Sequence, residues 1–79
     1  MTRAAVQPIP RRELVTVMAY LDAGSHKAAA QRLGIAESTC RQRVSLLMHR
    51  VGARNVAETV WMLRDQLEIE ARCQARLGL

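Results

Sequence analysis

The stretch Lys27–Asn55, KAAAQRLGIAESTCRQRVSLLMHRVGARN, decides the fold. Ser25 just before it is a good N-cap for a short helix over 26–33. Ala28, Ala29 and Ala30 let a neighbouring helix come close, and Leu33 anchors the end. Gly34 supplies a left-handed C-terminal turn, and Ile35 plugs that turn from below. A longer helix is expected over 37–51. Cys40, Val44, Leu47, Met48 and Val51 fall on one face, at helical spacing. The opposite face carries Ser38, Arg41, Gln42, Ser45 and His49, and Gly52 ends the element.

Upstream, residues 1–9 show no periodicity and read as a flexible arm. Pro10 suits the first turn of a helix. Leu14, Val17, Met18 and Leu21 then give one apolar face over 11–22, broken by Ala23-Gly24-Ser25. Downstream, Asn55 and Glu58 form a capping box. They open a fourth helix that nothing interrupts until Gly78, so it is expected to run to about Arg76. Val56, Val60, Leu63 and Leu67 repeat on it like a coiled-coil seam. Met62, Ile69, Cys73 and Leu77 form a second stripe. One small domain cannot bury both, so this helix is expected to pair with a partner. No strand signal competes, and the fold class is all-α with four helices.

Composition agrees. Seventy-nine residues suit one small domain. Hydrophobic residues make up 49% and aromatics only 3%, which calls for an aliphatic, helical core. Lys and Arg total 12 against 7 acidic residues, for a net charge of +5. Eleven of the twelve are Arg, whose fork matches phosphate and guanine. Residues 1–54 carry nine basic and three acidic side chains, whereas 55–79 carry three and four. The positive potential therefore belongs to the first three helices. No apolar run could span a membrane, and no signal-peptide core precedes the first helix, so a cytoplasmic setting is expected. Cys40 and Cys73, with His26 and His49, make no metal or disulfide pattern. No catalytic constellation, metal or cofactor is expected in a chain this small.

A short helix braced by small residues, a glycine turn, an apolar plug and a polar-faced helix are the parts of a helix-turn-helix. The stretch resembles the LuxR/GerE-type helix-turn-helix of bacterial transcription regulators, which reads roughly K-E-I-A-x-x-L-G-I-S-x-x-T-V-K-x-H-V-x-x-I-L-x-K-L-G-V-x-N. Lys27, Ala30, Leu33, Gly34, Ile35, Thr39, Val44, Gly52 and Asn55 match in register without a gap. Arg41, Leu47, Met48 and Arg50 are conservative matches. Ala36 stands where the family has its serine N-cap. The resemblance spans about 10–67, leaves 68–79 as an extension of the fourth helix, and implies a stand-alone, GerE-like regulator.

What the resemblance implies is double-stranded DNA held with the third helix in the major groove. Arg41, Gln42 and Ser45 are then the expected base contacts. Lys27, Ser38, Thr39, Arg43, Arg50 and Arg54 are the expected phosphate contacts. In the family the fourth helix pairs two domains, so Val56, Val60, Trp61, Leu63, Arg64 and Leu67 are the expected homodimer interface. RNA polymerase or another regulator would be further partners. Two other readings share this fold: an anti-activator that binds protein through the fourth helix without DNA, and a promoter-recognition module like the last region of a sigma factor.

Overall fold

The computed structural model describes residues 9–76. The expected arm falls almost entirely outside them, as do Leu77 and Gly78. Four helices follow one another: α1 Arg11–Ala23, α2 His26–Leu33, α3 Glu37–Val51 and α4 Val56–Arg76. No strand occurs among the described residues. The expected boundaries agree to within a residue.

Each helix ends for a local reason. Pro10 sits one place earlier than the first helical turn, as the residue before α1, and its carbonyl accepts from the Glu13 and Leu14 N–H groups. Ser25 caps α2, its Oγ accepting from the Ala28 N–H at 3.0 Å. Gly34 closes α2 at φ +71°, a conformation that disfavours any side chain. The Ile35 N–H then reaches back to the Ala30 carbonyl at 3.0 Å. Ala36 gives α3 no side-chain cap. Asn55 caps α4 by accepting from the Glu58 N–H at 2.8 Å. Glu58 returns a bond to the Arg54 N–H at 2.6 Å, one residue earlier than a capping box would have it.

Two clusters hold the helices together. Leu14 and Val17 of α1, Val44 and Leu47 of α3, and Leu63 and Leu67 of α4 form the main core. Ala19, Ala29, Ala30 and Cys40 form the second, where α1, α2 and α3 meet with only small side chains between them. Half-buried Leu33 and Ile35 close this second cluster below the turn. Leu47 is wholly buried, which contributes about 1.5–3 kcal/mol from apolar transfer. Leu21, expected on the buried face of α1, is instead 47% exposed near the end of that helix.

Two expectations for the fourth helix need correction. It is not regular throughout: Leu63 has φ −110° and ψ 16°, outside helical values, so α4 bends there. The Trp61 carbonyl beside the bend accepts from the Arg64 guanidinium at 2.9 Å. Nor is the 56/60/63/67 row a partner-facing seam. Leu63 and Leu67 are 5% and 8% exposed inside the chain's own core, and Val56 and Val60 pack half-buried against it. Leu63 and Leu67 thus have almost no apolar surface left for a second copy, while Val56 and Val60 keep part of theirs. The outer stripe remains open, with Trp61 67%, Met62 47% and Ile69 63% exposed.

Buried polar groups are all partnered; among the described residues no buried side-chain nitrogen or oxygen lacks a hydrogen bond. Thr16 and Thr59, both fully buried, donate to the carbonyls four residues back, of Arg12 and Asn55. Glu70 accepts from Arg11 Nε at 2.8 Å, tying the far end of α4 to the start of α1.

Candidate nucleic-acid interface

The α3 helix has a period of 3.6 residues, so its two faces diverge cleanly. Cys40, Val44 and Leu47 point inward, buried. Ser38, Arg41, Gln42, Ser45, Leu46 and His49 are exposed on the other side. Ser38, Gln42, Ser45 and His49, spaced by four, three and four, run down the middle of that open face. The structure thus brings the expected base contacts Gln42 and Ser45 together with Ser38. It sets Arg41 toward one flank and half-buried Thr39 and Arg43 toward the other. Leu46 belongs to the same surface and was not singled out from sequence; the helical period was the signal that could have found it.

Arg41 is not loose. Its Nη2 donates to Glu37 Oε2 at 2.6 Å, one turn back along the helix. The pair is exposed and therefore contributes little to stability. Its effect is to hold the guanidinium along the N-terminal flank of the face. Glu37 was missed from sequence, although its spacing of four from Arg41 was visible there.

Arg50 departs from expectation. Both of its fork nitrogens point inward: Nε donates to Glu13 Oε1 at 3.0 Å and Nη2 to Glu13 Oε2 at 2.9 Å. Glu13 is 1% exposed. The hydrogen bonds it donates to Glu13 raise the Arg50 pKa above its ordinary value, against the desolvation that opposes them. A buried carboxylate needs such a partner, so Arg50 ties α1 to α3.

The remaining expected phosphate contacts lie at the surface. Lys27 and Ser38 are exposed, at the starts of α2 and α3. Arg54 is exposed, with its Nε 3.5 Å from Glu58 Oε1. That contact and the Glu58 bond to the Arg54 backbone hold the Glu58 carboxyl below its ordinary pKa, the backbone bond contributing most.

Two residues behave as core rather than chemistry. Cys40 is fully buried, and burial, with smaller help from Glu37, pushes its thiol pKa up. A raised thiol pKa means little thiolate and low reactivity. His26 is half-buried: its ring stacks on Tyr20 with centroids 4.5 Å apart, and Nδ1 lies 3.8 Å from Cys40 Sγ. Among the described residues no group of three or more potential metal ligands comes together. No described helix is long and apolar enough to cross a membrane.

On α4, Arg64 lies over the Trp61 ring, 4.4 Å from its centroid. This cation–π pair orients the largest exposed apolar side chain of the chain. No protein-family model, curated protein or solved structure matches this sequence.

Proposed function

We propose that this chain is a sequence-specific, double-stranded-DNA-binding transcription regulator of the bacterial LuxR/GerE-type helix-turn-helix class, working in the cytoplasm as a homodimer. The observation that carries the reading is the open face of α3. It is a full-length helical surface of Ser38, Gln42, Ser45 and His49 flanked by Arg41, backed by a core that fixes its direction. A major groove about 12 Å wide admits such a helix. Gln42 has the geometry to bond adenine N6 and N7, and Arg41, once released by Glu37, guanine O6 and N7. Lys27, Thr39, Arg43 and Arg54 surround the face as phosphate contacts. The glycine turn and the alanine contact between α2 and α3 support the motif assignment, as do the in-register matches from Lys27 to Asn55.

The dimer surface in this reading is the outer side of α4, with Trp61, Met62, Arg64 and Ile69, rather than the row of leucines and valines beneath it. Two α3 helices related by a twofold axis would enter successive major grooves roughly 34–36 Å apart, so the operator should be an imperfect palindrome.

Selecting bound duplexes from a random pool, then measuring affinity at fixed salt, tests the proposal. The expected result is one preferred palindrome, with Gln42→Ala relaxing the preference by about 1–3 kcal/mol at one base pair of each half-site. A chain that enriches no sequence is not a sequence-specific regulator. The exposed Trp61 stripe favours one second reading, an anti-activator that binds protein through α4; a dimer with no duplex affinity at low salt would select it.

A further inference from the structure

All seven carboxylate side chains of the chain lie within the described residues, and six of them each hold one arginine. The pairs are Glu70–Arg11, Asp22–Arg32, Glu37–Arg41, Glu13–Arg50, Glu58–Arg54 and Glu68–Arg72. Arg64 lies instead on the Trp61 ring. Among the described residues three arginines have neither arrangement: Arg76 at the end of α4 and, elsewhere, the pair Arg12 and Arg43. Arg12 and Arg43 are 31 positions apart in sequence, yet both line one shallow groove between the start of α1 and the flank of α3. Its floor is apolar, formed by Val15, Leu33 and Ile35. Arg11 also borders it, but its Nε is bonded to Glu70.

Two guanidinium groups sharing a groove repel one another unless an anion lies between them, and an apolar floor strengthens attraction to that anion by reducing water screening. A fork of planar donors suits a phosphate oxygen pair. Arg43 is next to Gln42 in sequence but about 100° round the helix from it. A phosphate held at Arg43 would thus sit beside the groove that Gln42 faces, on the side where α1 begins.

We propose that Arg12 and Arg43 form a phosphodiester clamp, one guanidinium from each of two helices, that grips the DNA strand bordering the major groove and fixes the angle at which α3 enters it. The inference rests on the DNA-binding reading above and adds to it a site on α1, a helix to which that reading gives no contact. The clamp recognises backbone, so it carries affinity and register but no sequence preference.

The test is a salt series of binding to the selected palindrome and to an unrelated duplex of equal length, using wild type, Arg12→Ala, Arg43→Met and Gln42→Ala. Methionine at 43 keeps an apolar stem over the core, and circular dichroism verifies that each variant is folded. Arg12→Ala and Arg43→Met should each weaken both duplexes by the same factor. Each should also flatten the plot of log affinity against log salt by about one unit, leaving the preference between duplexes unchanged. Unchanged slopes in folded variants, while Gln42→Ala still loses preference, overturn the clamp and leave the DNA reading standing. Loss of preference in Arg43→Met also overturns it, by making Arg43 a base reader. A wild-type chain that binds inorganic phosphate but no duplex overturns both, and identifies the groove as a site for free phosphate.

Discussion

Arg50 and Glu13 face each other across the junction of α3 and α1 through two parallel hydrogen bonds, of 3.0 and 2.9 Å. Because Glu13 is buried, removing its partner strands a charge in the core, which destabilises far more than losing a surface pair. Arg50→Ala should therefore lower the melting temperature much more than Arg72→Ala, which breaks the exposed pair with Glu68. Differential scanning calorimetry on the two variants decides this. Equal melting points would return Arg50 to the surface role that its position in sequence suggests.

Glutamate substitutions on α4 should divide its two stripes. Leu63→Glu places an unpaired charge in the core and should unfold the chain in bulk. Trp61→Glu should leave the helices intact and give a monomer. Circular dichroism and light scattering read the two outcomes. A folded, monomeric Leu63→Glu would mean that the inner row, after all, contacts a second copy. As a calibration of the core, Leu47→Ala should cost about 2–5 kcal/mol in denaturant unfolding.

The two thiols should differ in reactivity. Cys73 is exposed and Cys40 buried, so an alkylating reagent should label Cys73 in the native chain and Cys40 only after denaturation. The Cys40 pKa is raised in the folded state. Its contribution to stability is thus complete below the unfolded thiol pKa of about 8.5 and is lost as pH rises through the higher folded value. Cys40→Ala should show a shallower alkaline decline in melting temperature than wild type, and an identical decline would contradict the assignment.

Glu58 gives the opposite sign. Its folded pKa is depressed, so the stability it contributes is present above the unfolded value of about 4.3. That stability disappears as pH falls through the lower folded value. Glu58→Gln should be less stable than wild type near neutrality and should lose less on acidification. Melts from neutral pH down to about pH 3, below that unfolded value, would reveal parallel curves if the cap were unimportant.

What could be read from sequence was local. Ser25, Gly34, Gly52 and Asn55 place helix ends through the bonds of a few adjacent residues, and all four ends lie where those residues put them. The polar face of α3 was legible because a single helix carries it. The partner of the 56/60/63/67 row was not, since the same spacing serves a coiled coil and a helix laid on its own domain. Period reports that a face is covered, not by what. The inward partner of Arg50 was not legible for the related reason that Glu13 is 37 positions away. The bend at Leu63 has no proline or glycine to announce it.

The main core is supplied by three helices, and α4 is the last of them along the chain. Until Leu63 and Leu67 leave the ribosome, Leu14, Val17, Val44 and Leu47 have no lid, and a chain halted before Leu63 carries an open apolar trough. In so small a domain that loss leaves too little burial for stable folding. The recognition-like face of α3 can therefore acquire a fixed direction only once α4 has been made. A nonsense codon anywhere upstream of the bend should yield prey for proteases rather than a shortened competitor of the intact protein.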